Sequence, residues 1–160
     1  MKALYIHGFQ SSPLPVKVDA LKEIFGEVIA PSIDWEDEET RKNLYQNLME
    51  TIKSEGVTHV IGSSMGGQMA FYLAANSKAN GLCFNPAFDH MYFDLGYEMP
   101  IYITSRVKIV LGENDDVISP DKTFLFLTKN GFIGSVEIEY EDMGHQVDLE
   151  TFTRQSKSIL

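Results

Sequence analysis

Short apolar runs alternate with longer segments of helical spacing along the chain, and this alternation most restricts the fold. Ala3–Ile6, Val28–Ala30, Val57–Ile61, Gly81–Phe84, Val107–Leu111 and Val136–Tyr140 read as six strands. Each is too short for a helix, and glycine, proline or asparagine follows most of them. Between strands, Val16–Phe25 carries apolar residues at 18, 21, 24 and 25 ahead of Gly26. The segment from Asp37 to Glu55 carries them at 44, 45, 48, 49 and 52 ahead of Gly56. Both spacings describe one helical face closed by a glycine stop. Met65–Ser77 is helix-like, Ser119-Pro120 is a cap and first helical position for a helix running to Asn130-Gly131, and the last dozen residues predict a closing helix.

Short apolar strands separated by helices predict a parallel sheet covered on both faces, a three-layer, doubly wound α/β fold. The 160 residues suit a single domain spanning residues 1–160, with no repeat, low-complexity tract or linker. Residues 86–105 break the rhythm. They read as an aromatic-rich insertion with room for one short helix. Ligands of such sheets bind at the carboxyl ends of the strands, so the loops at 7–15, 31–36, 62–65, 85–105, 112–119 and 141–148 are where function is expected.

Composition excludes several function classes. Apolar residues make up 44% and charged residues 22%, an ordinary globular balance. The net charge of −10 repels phosphate backbones and anionic membrane surfaces, so neither nucleic acid nor membrane is an expected partner. The single cysteine, Cys83, supports neither a disulfide framework nor a thiolate metal site and suits a reducing compartment. No signal-peptide pattern opens the chain, and a cytoplasmic location is the default expectation.

The stretch Gly62-Ser63-Ser64-Met65-Gly66 fits G-x-S-x-G, between an expected strand and an expected helix. A turn that sharp leaves room only for small residues two before and two after its centre, and Gly62 and Gly66 hold those places. The hydroxyl of the central Ser64 would stand alone above the sheet, with Ser63 as a packing neighbour. A serine hydroxyl needs a base, an acid to orient the base, and donors for the oxyanion. His145 follows the last strand at the correct end and comes last in chain order, as the order Ser…Asp/Glu…His requires. His59 precedes the third strand and lies at the wrong end. His7 is assigned to shaping the loop after the first strand, and His90 is a further candidate in the insertion. The acid is expected after the fifth strand, in Gly112-Glu113-Asn114-Asp115-Asp116-Val117-Ile118-Ser119-Pro120. Asp115 is favoured there, with Asp116 as the close alternative and Asp89 a weaker one. The backbone N–H groups of Met65 and Phe9 are the expected oxyanion donors, Met65 because it opens the helix and Phe9 because Gly8 lets its loop turn toward substrate.

Taken together, IHGFQSSP, GSSMGG, GENDDVISP and MGH resemble the α/β-hydrolase superfamily, and more narrowly its small esterases of the YqiA-like group. The resemblance runs from His7 to His145. It implies a minimal α/β-hydrolase without the first strands of larger members or a large cap, with six parallel strands in the order 2-1-3-4-5-6. It also implies hydrolysis of carboxylic esters or thioesters through Ser64, Asp115 and His145, by an acyl-enzyme route requiring no metal or organic cofactor. The partner would be a small-molecule ester or thioester. Phe88, Met91, Tyr92 and Phe93 are candidate acyl-pocket residues, the alternative being that they only pack over the sheet edge. Two other classes compete: an idle hydrolase fold serving as a binding module, and an acyltransferase that passes the acyl group to an alcohol or amine. A nucleotide binder is weaker, because the first strand lacks G-x-G-x-x-G and no Walker lysine follows the glycines at 62–67.

Overall fold

The computed structural model of the protein describes residues 1–89 and 95–160. Six strands form one sheet in the order β2-β1-β3-β4-β5-β6, every neighbouring pair parallel. In chain order the elements are β1 (Lys2–Ile6), α1 (Pro15–Phe25), β2 (Glu27–Ile29), α2 (Glu38–Glu55), β3 (His59–Ser63), α3 (Met65–Ala75), β4 (Asn80–Phe84), β5 (Val107–Gly112), α4 (Pro120–Lys129), β6 (Glu137–Glu141) and α5 (Leu149–Lys157). The arrangement is the expected doubly wound sheet, in the expected strand order.

Capping chemistry explains where the helices start. The Asp37 carboxylate accepts the Thr40 backbone N–H at 2.7 Å at the head of α2, and Asp148 accepts that of Thr151 at 2.9 Å at the head of α5. Ser119 and Pro120 cap and open α4. Gly56, at φ 65°, closes α2 in the left-handed conformation that glycine adopts without penalty.

Alternate side chains of the strands feed two cores. Leu4, Ile6, Val60, Cys83, Ile109 and Leu111 pack on one face with residues of α2, α3 and α4. Ala3, Tyr5, Ile61, Leu82, Phe84 and Val110 pack on the other with α1 and α5. Burial pushes the Cys83 thiol well above its ordinary range, consistent with an inert packing role. The described part of the insertion, residues 86–89 and 95–105, contains no helix.

Every residue of α3 is buried, so this helix has no solvent face. It enters the sheet at the turn after β3, where the backbones nearly touch. A Cβ on Gly66 would lie 2.1 Å from the Ile6 carbonyl oxygen, and one on Gly62 would lie 2.0 Å from that of Gly66. Those contacts are with backbone and cannot relax by a rotamer change. Gly66→Ala is therefore expected to lower the urea unfolding midpoint by the equivalent of ~3 kcal/mol or more. Gly134→Ala, where a Cβ meets nothing within 4 Å, should cost less than ~0.5 kcal/mol.

Candidate functional site

Ser64 sits between β3 and α3 at φ 56° and ψ −120°, a conformation that non-glycine residues rarely adopt. Backbone bonds hold it there. Its N–H donates to the Phe84 carbonyl at 2.9 Å, and its carbonyl accepts the N–H groups of Gln68 at 2.9 Å and Ala87 at 3.1 Å. Met65 follows as the first residue of α3, where helix geometry gives the N–H no partner within the helix. Gly8 lies against the same turn: a Cβ there would be 3.2 Å from both the Ser63 carbonyl oxygen and the Ser64 Cβ.

His145 and Asp115 meet across two loops at the carboxyl end of the sheet. The His145 Nδ1–H donates to Asp115 Oδ2 at 2.8 Å. The other carboxylate oxygen, Oδ1, accepts the backbone N–H groups of Val117 and Ile118, each at 2.8 Å. The Asp115 side chain is fully buried, so these bonds replace the water a carboxylate would otherwise need. Because a carboxylate accepts only, the proton resides on Nδ1 and leaves Nε2 as the basic nitrogen. Asp116 and Glu113 are exposed, and Asp89 pairs with Lys122 at 3.3 Å. Asp115 is the carboxylate that bonds His145.

Ser64 and His145 line one pocket with Phe9, Gln10, Met65, Ala87, Val117 and Ile118, enclosing about 360 Å³. A second pocket adjoins it through Phe9 and Gln10 and is lined by Ser11, Ser32, Asp34 and Glu36, among others. Phe9 and Met65 are at the pocket. Phe88 is not: its ring stacks on Phe126 at 4.3 Å and contacts Phe71 and Tyr72 edge-on, so it belongs to the core, and its neighbour Ala87 faces the pocket instead. Met91, Tyr92 and Phe93, and the alternative base His90, lie outside the described residues.

The remaining histidines are engaged elsewhere. His59 begins β3, at the opposite end of the sheet, and its Nε2–H donates to the Ile159 carbonyl at 3.2 Å. His7 is buried with both nitrogens occupied: Nε2 accepts the Ile33 N–H at 2.9 Å, and Nδ1–H donates to the Gly8 carbonyl at 2.8 Å. It ties the loop after β1 to the one after β2, consistent with a loop-shaping part. Burial depresses its pKa below the usual 6.5. Among the described residues, no group of three or more His, Cys, Asp or Glu is placed to hold a metal ion. No helix among them is long and apolar enough to cross a membrane.

Sequence reasoning missed Gln10 and Asn85. Gln10 has φ 53° and lines both pockets. Asn85 follows the fourth strand, and its side chain bonds both the loop that carries His145 and the end of β5. The available signal was its place at the carboxyl end of a buried central strand.

The sequence profile of the Uncharacterised protein family UPF0227 matches residues 2–100. The chain belongs to this family. UPF0227 is the YqiA-like group that the motifs resemble. No curated protein matches the chain. Solved structures do. A Xanthomonas campestris pv. campestris protein assigned to the alpha/beta hydrolase superfamily superposes with TM-score 0.72 at 18% identity, covering 98% of this chain and 96% of its own. Arabidopsis thaliana SOBER1 gives 0.70 at 14% identity, covering 99% and 97%. The Pyrococcus furiosus esterase Pf2001 gives 0.70 at 17% identity, covering 98% and 79%. At such identities the likeness establishes the fold, so this UPF0227 member has the α/β-hydrolase fold.

The state of His7 sets a pH dependence of stability. Below 6.5 the unfolded chain binds a proton that the buried ring resists, so stability is present above that value and falls as pH drops toward the depressed folded pKa. His59, also depressed by burial, acts in the same direction. Urea midpoints should fall as pH is lowered from about 7 to about 5, each histidine contributing at most ~1.4 kcal/mol per pH unit. His7→Gln, which keeps an acceptor for the Ile33 N–H but has no proton to gain, should flatten the curve.

Proposed function

We propose that this chain is a serine hydrolase of carboxylic esters. The observation that carries the reading is the convergence on one pocket of Ser64, at a strained strand-to-helix turn, and His145, bonded to Asp115 at 2.8 Å. In this reading the turn is a nucleophile elbow. His145 Nε2 takes the proton of Ser64 as Oγ attacks the acyl carbonyl. The Met65 and Phe9 N–H groups stabilise the oxyanion, each at a value of about 3 kcal/mol. Asp115 holds the imidazole in its working tautomer and stabilises the cation that forms. The proton then passes to the leaving alkoxide, the alcohol departs, and His145 activates water to release the acid from the acyl-enzyme. The scheme calls on no metal or organic cofactor.

Pocket chemistry supports a small apolar acyl group. Phe9, Met65, Ala87, Val117 and Ile118 supply apolar walls, and 360 Å³ lies near the lower end of ligand-site volumes. The adjoining pocket carries Asp34 and Glu36, and the net charge is −10, so a polyphosphate leaving group meets repulsion. Arg106 and Lys108 do not offset this. They stand at the start of β5, opposite the site, paired with Glu137, and Lys108 also pairs with Glu139. Neutral esters are therefore favoured over acyl-CoA thioesters.

Hydrolysis of p-nitrophenyl butyrate should be lost in Ser64→Ala by at least ~10³-fold in kcat, and a fluorophosphonate should add its mass to the peptide containing Ser64. Equal turnover by wild type and Ser64→Ala would refute the reading. Across p-nitrophenyl esters, kcat/KM should peak at acyl chains of about two to four carbons. Butyryl-CoA should be a poorer substrate than p-nitrophenyl butyrate, with a rate that rises as salt screens the repulsion.

A further inference from the structure

The turn that follows β4 touches both halves of the site. On one side, Phe84 and Ala87 bond the N–H and carbonyl of Ser64. On the other, Asn85 reaches the loop that carries His145. Its Nδ2 donates to the Gly144 carbonyl at 3.2 Å and to the His145 carbonyl at 3.1 Å, one on each side of the His145 Cα. Its Oδ1 accepts the Gly112 N–H at 2.7 Å, at the end of β5. The orientation of the amide follows from its partners, because an N–H must face the oxygen and two carbonyls must face the NH₂. Asn85 is 1% exposed and has φ 42°, a left-handed conformation that asparagine tolerates better than other side chains. Gly112 completes the seat: a Cβ there would lie 2.5 Å from the Met143 carbonyl oxygen, so the histidine loop rests directly on the strand end.

We propose that Asn85 is a positioning residue that sets His145 against Ser64, by anchoring the histidine backbone to the same turn that holds the serine backbone. Among the described residues, the imidazole is bonded to Asp115. Its remaining placement comes from the backbone, and Asn85 joins the two carbonyls that bracket that residue. A leucine side chain of roughly comparable shape would fill the space but leave both carbonyls and the Gly112 N–H without these partners. The catalytic consequence rests on the esterase reading above, whereas the anchoring does not.

The test uses Asn85→Gly, which deletes the amide and keeps the left-handed backbone, and Asn85→Asp, which keeps the acceptor for Gly112 but turns a carboxylate oxygen toward two carbonyls. The first readout is the downfield proton resonance of the His145 Nδ1–H in the folded protein, assigned by its disappearance in His145→Gln. It should broaden into exchange with water in Asn85→Gly, while the His7 Nδ1–H resonance persists as an internal control. The second is kinetics with p-nitrophenyl butyrate. Asn85→Gly should lower kcat by about 10- to 100-fold with KM within about 2-fold, since displacement of a reacting group by ~1 Å costs about that much. Asn85→Asp should raise the lower apparent pKa of the kcat/KM profile, because a negative charge beside the histidine favours its protonated form. If Asn85→Gly does not fold, Asn85→Asp supplies both readouts. A retained His145 resonance with wild-type kcat and pH profile would overturn the proposal. A wild type without esterase activity would sink the esterase reading and leave the resonance to decide the anchoring.

Discussion

The structure depends on the close approach of the first turn of α3 to the backbones of β1 and β3. At Gly62 and Gly66 the space for a Cβ is already filled by main-chain atoms. That contact lets a helix buried on every side enter the middle of the sheet. It also sets the conformation of Ser64, since a chain that turns from strand to helix in so little space must pass through an unfavourable φ. The cost is met by the bonds from Phe84 and Ala87 to the Ser64 backbone and by the complete burial of α3.

Everything else in the site is arranged around that turn by hydrogen bonds from polar side chains, most of them to loop backbones. The loop after β1 is held by His7, whose nitrogens tie Gly8 to Ile33. The loop after β5 folds back so that two of its N–H groups bond Asp115 Oδ1, which leaves Oδ2 for His145. The turn after β4 joins the serine and histidine loops through Asn85. Five connections thus meet at the carboxyl end of the sheet, and each is fixed by at least one buried polar side chain or by direct backbone bonds. Such satisfied polar networks in low dielectric hold a unique geometry, which suits the acyl-transfer chemistry proposed for this site.

Much of this was legible in the residues. The strand order followed from the motifs' resemblance, and helix ends were marked by Asp37, Gly56 and Ser119-Pro120, whose capping chemistry is local. Ser64 was legible because G-x-S-x-G is a steric statement about a turn. Asp115 was favoured over Asp116 only narrowly, because adjacent side chains differ only in where the turn points them, and the two N–H groups that select Asp115 belong to that folded turn. Phe88 was expected at the acyl pocket and stacks on Phe126 instead, since an aromatic side chain's destination depends on α4, which lies more than thirty residues further along. Asn85 carried no mark beyond its place at the end of a central strand, as its partners at Gly112, Gly144 and His145 are brought to it by the sheet.

The sequence alone determined the alternation of strands and helices, the sharp turn at Ser64 and the residue types available for acyl chemistry. These are set by periodicity, capping and sterics acting within a few residues. Tertiary structure decided which carboxylate meets His145, which side chains wall the pocket, and what holds the histidine loop to the serine turn. Those depend on contacts between segments remote in the chain, and such contacts exist only once parallel pairing has brought the strand ends together.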